Sequence, residues 1–263
     1  MDIIVLIKQV PNTTAVKLDP KTGNLIREGI ASIINPDDRH AIETAVQLKE
    51  THGAKITVVT MGPLQAIDAL SEAMGMGAEK AVLLSDRAFA GADTWATSYT
   101  LGRAVQTIGA YDLVLAGRQA IDGDTAQVGP QVAEFLEIPQ VTYVSAIEAL
   151  AADHLVVRRK VADGYERIRC RLPALLTVVS AINTPRYPEM KGLLLACREK
   201  APIKIWNAAD IGVTTADIGL QGSLTHVIKT FAPKAERQAE MLAGDTPTVA
   251  RELVQRLHSQ KLV

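Results

Sequence analysis

The stretch KITVVTMGPLQAIDALSEAMGMGAEKAVLLS, residues 55–85, decides the fold class of this protein. It begins with a β-rich apolar run, continues with a helix signal that has Pro63 at its start and Gly77 at its end, and closes with a second apolar run. Apolar strands without alternation are typical of a parallel sheet that helices cover on both faces. The stretch therefore predicts a strand, a helix and a second strand that lies parallel to the first.

The same alternation of strand and helix signals extends in both directions along the first half of the chain. Strands are predicted at IIVLIK (Ile3–Lys8) and YDLVLAG (111–117), and helices at Asp37–Gly53 and 93–109, with a short helix in AQVGPQVAEFL (126–136). Repeated strand–helix units predict an α/β fold with a doubly wound, mostly parallel sheet. We place this domain at about residues 1–185.

The rhythm changes beyond residue 138. HLVVRRKVADGYERIRCRL predicts a hairpin that turns at Asp163–Gly164, and ALLTVVSAI predicts a further buried strand. Residues 186–202 form a proline-framed loop and helix, and residues 203–263 have helix signals without a clear core. An arm that embraces a partner subunit and a helix folded back on the same chain both fit this last segment.

Composition excludes several classes of function. The net charge of −1 gives no basic footprint for nucleic acid. No apolar run reaches the ~18 residues of a membrane span, and the first segment lacks the basic start of a signal peptide. The two cysteines lie far apart in sequence and fit reduced thiols in a cytoplasmic protein.

Motifs for catalysis are absent from the sequence. It has no phosphate-binding G-x-x-x-x-G-K-[ST], no G-x-S-x-G nucleophile turn and no H-E-x-x-H, and its five histidines are scattered. We therefore predict no catalytic residue and no metal site. Any redox chemistry must come from a cofactor.

The most polar junction is AGRQAIDGDTAQVGPQ, Ala116–Gln131. Asp124 and Gln127 have the spacing of a capping box, which predicts a helix start and free N–H groups at Thr125, Ala126 and Gln127. Free N–H groups at a helix start form a site for an anion.

Other residues of this junction point to a nucleotide. Gly117 and Gly123 allow close approach of a ligand to the backbone, and Arg118 is suited to a phosphate or a carboxylate. Asp122 is suited to accept from ribose hydroxyls. Helix capping explains Asp124 and Gln127 but not these residues together.

Two further junctions have plainer interpretations. In NPDD, Asn35–Asp38, capping by Asn35 with Pro36 in the first helical position explains all four residues. In AGADTWATS, Asp93 or Thr94 caps a helix, and Trp95 fits a core position.

The junction GRQAIDGDTAQVGPQ resembles the signature of the beta subunit of electron-transferring flavoproteins. Four more segments resemble that family in the same order along the chain: IVLIKQVPNT, INPDDRHAIETAVQLKE, MGPLQA and NTPRYPEMKGLLLACREK. The resemblance covers nearly the whole chain and fades after about residue 203. It implies a fold like that of adenine-nucleotide alpha hydrolases, with a C-terminal arm, residues 203–263, packed on an alpha subunit.

The resemblance implies a heterodimer in which the alpha subunit carries one FAD. In one branch of the family the beta subunit holds AMP as a structural ligand. In the electron-bifurcating branch it holds a second FAD that takes hydride from NADH, and the electrons go to ferredoxin and, through the alpha-subunit FAD, to a flavin-dependent dehydrogenase. The sequences of AGADTWATS, NPDD and DGDTAQVGPQ resemble the bifurcating branch more than the AMP-binding branch.

The resemblance also assigns two sets of site residues. The cofactor-binding set is Leu6, Ile7, Lys8, Asn35, Pro36, Asp37, Asp38, Met61, Gly62, Thr94, Thr97, Ala116, Gly117, Arg118, Gln119, Ala120, Asp122, Gly123, Asp124, Thr125, Ala126, Gln127 and Val128. The partner-docking set is Arg186, Tyr187, Met190, Leu193 and Leu194. A module that binds adenine nucleotide without redox chemistry remains the alternative.

Overall fold

The computed structural model describes residues 1–12, 31–228 and 239–263. Within these residues, nine strands form one sheet and two short strands form a separate ribbon. The strands of the sheet are β1 (Asp2–Leu6), β4 (Lys55–Met61), β5 (Lys80–Leu84), β6 (Leu113–Gly117), β7 (Gln140–Leu150), β8 (His154–Val161), β9 (Gly164–Arg171), β10 (Ala174–Val178) and β11 (Ile203–Trp206), and the ribbon pairs β2 (Gln9–Pro11) with β3 (Ser32–Ile34).

The strand order is β11-β5-β4-β1-β6-β10-β7-β8-β9. Every pair from β11 to β7 is parallel, and only β8 and β9 run antiparallel at the end of the sheet. From β1 the chain builds outward to β4 and β5, and it then returns to place β6 on the other side of β1. This confirms the doubly wound, mostly parallel α/β fold predicted from the sequence.

Helices cover both faces of the sheet. The helices described in the same part of the chain as the sheet are α1 (Pro36–His52), α2 (Ile67–Met76), α3 (Thr94–Ile108), α4 (Val128–Phe135) and α5 (Met190–Ala196), whereas α6 (Thr246–Ser259) belongs to a second compact unit. Along β1, Ile3 and Val5 belong to the core layer that includes α1 and α2, whereas Ile4 and Leu6 belong to the layer that includes α3 and α4. This double burial explains why the central strands are apolar without alternation.

The second half of the chain differs from the prediction in two strands. The hairpin of β8 and β9 turns beside Asp163–Gly164 as predicted, and β10 is the further buried strand. The sequence did not reveal β7, nor β11, which pairs in parallel with β5 at the sheet edge. Residues 203–206 therefore belong to the sheet and not to an arm.

The compact units divide at a later point than the predicted boundary. The first unit is Met1–Val227 and the second is Ile228–Val263, which contains α6. Part of the predicted arm, residues 229–238, lies outside the described residues. Both cysteines are free thiols, and no helix in the described part of the chain is long and apolar enough to cross a membrane.

Candidate functional site: a crevice between β1 and β6

The sheet changes its direction of growth at β1, with β4 on one side and β6 on the other. In an open parallel sheet such a reversal creates a crevice at the carboxyl ends of the strands, and ligands bind there. Lys8 follows the end of β1, and Arg118 follows the end of β6. The loops that the sequence marked as polar therefore meet at one edge of the sheet.

Asp38 ties the two sides of this crevice together. Its carboxyl accepts hydrogen bonds from the backbone N–H of Lys8 at 2.7 Å and of Gly117 at 3.1 Å. Burial raises the pKa of Asp38 to about 7, against the opposing effect of hydrogen bonds from Asn35, Lys8 and Gly117. The first turn of α1 thus fixes the spacing between the ends of β1 and β6.

Asn35 connects the same helix start to the loop after β6. Its side chain is fully buried, donates from Nδ2 to the carbonyl of Gln119 at 2.8 Å and accepts at Oδ1 from the N–H of Ile121 at 3.0 Å. It makes no side-chain capping bond to α1, although Pro36 occupies the first helical position as predicted. The interpretation of the Asn35 side chain as a cap was wrong, because the loop takes both of its polar atoms.

The capping box predicted at Asp124 and Gln127 is also wrong. Helix α4 begins at Val128, and its N-cap, Gln127, makes no side-chain capping bond. Asp124 and Ala126 have left-handed backbones with φ of 52° and 54°, which interrupts any helix there. The carboxylate of Asp124 accepts from the side chain of Gln119, so it stabilises the turn before the helix.

The loop nevertheless keeps the free donors that the sequence predicted. The N–H groups of Thr125, Ala126 and Gln127 have no acceptor among the described residues. A left-handed alanine such as Ala126 costs about 1 kcal/mol or more, and strain of this kind clusters at ligand sites. The donors and the strain together make this loop a candidate site for an anion.

The start of α3 lies beside this loop. Asp93 caps α3 by accepting from the N–H of Ala96 at 3.0 Å. Thr94 donates from its hydroxyl to the side-chain oxygen of Gln127 at 3.0 Å, and Ser98 donates to that of Gln131 at the same distance. Trp95 is 42% exposed, so its assignment to the core was wrong.

Two ion pairs lie in the crevice. The ammonium of Lys8 lies 2.7 Å from the carboxylate of Asp122, and Nε of Arg118 lies 3.4 Å from that of Asp37. Burial raises the pKa of Asp37, although Arg118 opposes this effect. The guanidinium of Arg118 also lies over the ring of Tyr143, 5.9 Å from its centroid, a contact that the sequence did not predict.

The predicted cofactor residues lie mostly at this one edge. The segments that the structure brings together are Leu6–Lys8, Asn35–Asp38, Met61–Gly62 and Ala116–Val128, with Thr94 joined to them through Gln127. Thr97 is half-buried within α3, and Ser98 makes the second contact between α3 and α4 instead. Cofactor contact by these residues stays a prediction.

The predicted docking residues lie on and before α5. Tyr187, Met190 and Leu194 are 88%, 68% and 58% exposed. Leu193 is half-buried and packs against Gly75 of α2, and Arg186 pairs with acidic residues of α1. Three of the five predicted docking side chains are therefore exposed to a partner, whereas Leu193 and Arg186 make contacts within the chain.

Comparison with known proteins agrees with this arrangement. Residues 22–211 match the model of the electron transfer flavoprotein domain. The chain belongs to the electron transfer flavoprotein beta-subunit family. It is 51% identical, over the full length of both chains, to the electron transfer flavoprotein subunit beta of Thermoanaerobacterium thermosaccharolyticum.

Other members of the family are similar over nearly the same length. The chain is 50% identical to the caffeyl-CoA reductase-Etf complex subunit CarD of Acetobacterium woodii, with both chains fully covered. It is 45% identical to the protein FixA of Azorhizobium caulinodans, over 94% of this chain and 90% of that protein. Family membership confirms the resemblance carried by the polar junction after β6.

Proposed function

We propose that this chain is the beta subunit of a heterodimeric electron transfer flavoprotein and that its crevice binds FAD. One observation carries the nucleotide assignment. Asp38 and Asn35 tie three segments around a crevice in which the N–H groups of Thr125, Ala126 and Gln127 have no acceptor in the part of the chain that the structure describes. Such a set of convergent donors suits a phosphate.

The charges of the crevice fit a phosphate-containing ligand. Lys8 compensates Asp122, Arg118 compensates Asp37, and burial raises the pKa of Asp38 to about 7. The crevice therefore offers backbone donors and a guanidinium, and two of its four carboxyl groups, Asp37 and Asp122, are paired with cations. One carboxylate oxygen of Asp122 accepts from Lys8, and its other oxygen is left as an acceptor for a ribose hydroxyl.

Two observations support FAD over AMP. FAD contains the AMP unit and adds a second phosphate, which needs donors beyond the first loop. Thr94 lies next to Gln127 and extends the polar lining toward α3, and Lys8 extends it past β1.

When bound in the crevice, FAD would supply the redox chemistry of this proposal: acceptance of hydride from NADH and delivery of one electron to ferredoxin and one, through the alpha-subunit FAD, to a partner dehydrogenase. The residues of this chain bind and orient, and none of them carries the redox step. Thr125, Ala126 and Gln127 hold phosphate oxygens, and Arg118 adds a positive charge. Tyr187, Met190 and Leu194 meet the dehydrogenase.

The alternative is a subunit that holds AMP as a structural ligand and supports electron transfer by the alpha-subunit FAD. The compact donor set at Thr125–Gln127 favours it, because these three N–H groups suffice for a single phosphate. In that case NADH is not a donor to this subunit.

A nucleotide count on the purified heterodimer decides between the two. We expect denaturation to release two FAD and no AMP per heterodimer, and NADH to bleach flavin absorbance before denaturation. One FAD with one AMP and no bleaching by NADH would establish the alternative. Release of no nucleotide beyond the FAD of the alpha subunit would refute binding in the crevice altogether.

A further inference from the structure

The segment before α5 is held to α1 by a dense ion-pair contact. Arg186 donates from Nε and Nη2 to the two carboxylate oxygens of Glu43, at 2.8 and 3.0 Å. It donates from Nη1 and Nη2 to those of Glu50, at 2.6 and 3.1 Å. Its backbone N–H adds a fifth hydrogen bond, to Glu43 at 3.1 Å. We name this contact the Arg186 clamp.

The geometry of the clamp indicates that it orders the chain at residue 186 and is stronger than an exposed surface ion pair. The Glu43 side chain is only 5% exposed, so loss of Arg186 would leave a buried carboxylate without its partner. Bidentate pairing fixes the plane of the guanidinium, which a lysine in its place would not do. Both glutamates lie on one rigid helix, α1, and the clamp therefore gives residue 186 a defined position.

Neighbouring contacts fix the chain on both sides of the clamp. Before it, Asn183 donates to the carbonyl of His40 at 3.0 Å and to the hydroxyl of Thr44 at 2.9 Å, both on α1. After it, Glu189 donates its N–H to the carbonyl of Gly75 at 2.8 Å. A side chain on Gly192 would come within 2.3 Å of the carbonyl of Met74, so α5 lies directly on α2.

These anchors present three apolar side chains outward. Tyr187, Met190 and Leu194 stand between the clamp and the end of α5 and are the exposed members of the docking set. Ordering such side chains in advance lowers the entropic cost of binding a partner. Arg186 itself has its guanidinium occupied by two carboxylates.

We propose that Arg186 is a positioning residue: through Glu43 and Glu50 it holds the segment Tyr187–Leu194 in the conformation that docks the partner dehydrogenase. The proposal rests on the docking function proposed above, and it gives Arg186 a role distinct from direct contact. It also places docking and cofactor binding on one element, since α1 carries Asp38 in its first turn and Glu43 in its second.

The test compares three variants of the heterodimer, Arg186→Met, Glu50→Gln and the double variant. Amide hydrogen exchange of residues 187–195 reports on the order of the segment without any partner present. The apparent KM for the dehydrogenase isolated with the native complex reports on docking, and kcat reports on electron transfer after docking. Arg167→Met is the control, because it removes an arginine ion pair between β9 and β7, with Glu148, that involves none of α1, α2 and α5.

We expect Arg186→Met to speed exchange of these amides and to raise KM by about fivefold or more, with kcat unchanged. Glu50→Gln should change both in the same direction by less, and it keeps the test open if Arg186→Met fails to fold. The double variant should be no worse than Arg186→Met, since both substitutions break one contact. The control should change neither quantity.

Each other outcome overturns the proposal. Unchanged exchange in Arg186→Met would show that the clamp does not order the segment. A raised KM with unchanged exchange and no effect of Glu50→Gln would make Arg186 a direct contact, and faster exchange with unchanged KM would separate order from docking. Met190→Ala tests the docking function itself: an unchanged KM in that variant would refute docking by this segment, while the exchange data still judge the clamp.

Discussion

At the scale of single residues, the crevice depends on one buried carboxyl, that of Asp38. Asp38 is buried and bonds to backbone N–H groups from the two strands that border the switch in the sheet. Its role was visible in part from the sequence. Asp38, Ala41, Ile42 and Ala45 follow helical spacing, so Asp38 falls on the apolar stripe of α1 rather than on its solvent face.

The raised pKa of Asp38 gives a pH prediction. Between its ordinary value of 3.8 and about 7, the folded chain keeps a proton on Asp38 that the unfolded chain has released. The resulting stability is complete below 3.8 and is lost as the pH rises through about 7. We therefore expect the free energy of unfolding to fall with rising pH relative to Asp38→Asn, by up to about 1.4 kcal/mol per pH unit. Urea denaturation of both chains across this range measures it, and a constant difference would contradict it.

Gly117 gives a second prediction at this scale. A Cβ at this position would lie 2.3 Å from Oδ1 of Asp38 and 2.7 Å from the backbone N of Asp38. Gly117→Ala should therefore push α1 away from β6, destabilise the chain by about 1–3 kcal/mol and lower the nucleotide content of the heterodimer.

Gly123 offers the matched control for that substitution. It lies in the same loop, and a Cβ there would meet nothing within 4 Å. Gly123→Ala should change the free energy of unfolding by less than about 0.5 kcal/mol. Equal effects of the two substitutions on stability would contradict the close contact between Gly117 and Asp38.

At the scale of elements, strands and helices were predicted correctly where burial of the sheet on both faces gives a strong hydrophobic pattern. The apolar runs of β1, β4, β5 and β6, and the helices between them, follow from the sequence because two helical layers cover the sheet. The strand β11 has four residues, two of them exposed, and β7 is half-exposed with bulges in its pairing, so neither has a clear period. These two strands form because of their pairing with β5 and β10 rather than because of a local sequence pattern.

The start of α4 shows why the site was harder to predict than the fold. The spacing of Asp124 and Gln127 fits a capping box, but left-handed backbones at Asp124 and Ala126 delay the helix to Val128. Local spacing did not reveal the long-range bonds from Asn35 that pull Gln119 and Ile121 toward α1. The residues that form the crevice were therefore predictable, whereas the contacts that shape it were not.

At the scale of the whole molecule, the described residues of the second unit, 228 and 239–263, have an apolar surface and no core of their own. Helix α6 has no buried residue, and Leu253 and Val254 are 47% and 53% exposed. Val249, Leu253 and Leu257 recur at intervals of four and lie on one side of the helix. A stripe of this kind favours contact with another subunit, and we expect the alpha subunit to supply it.

Substitution of Leu253 tests this expectation. Leu253→Glu places a charge in the middle of the stripe, so the heterodimer should lose the roughly 1.5–3 kcal/mol that burial of a leucine contributes, and its dissociation constant should rise at least about tenfold. The melting temperature of the beta chain alone should not change, because Leu253 is exposed there. Gln255→Glu, on the opposite side of α6, is the control. It adds the same charge outside the stripe and should leave the dissociation constant unchanged. Analytical ultracentrifugation of each variant with the alpha subunit measures the two dissociation constants. A heterodimer of Leu253→Glu as tight as the unsubstituted one would place the interface elsewhere on the molecule.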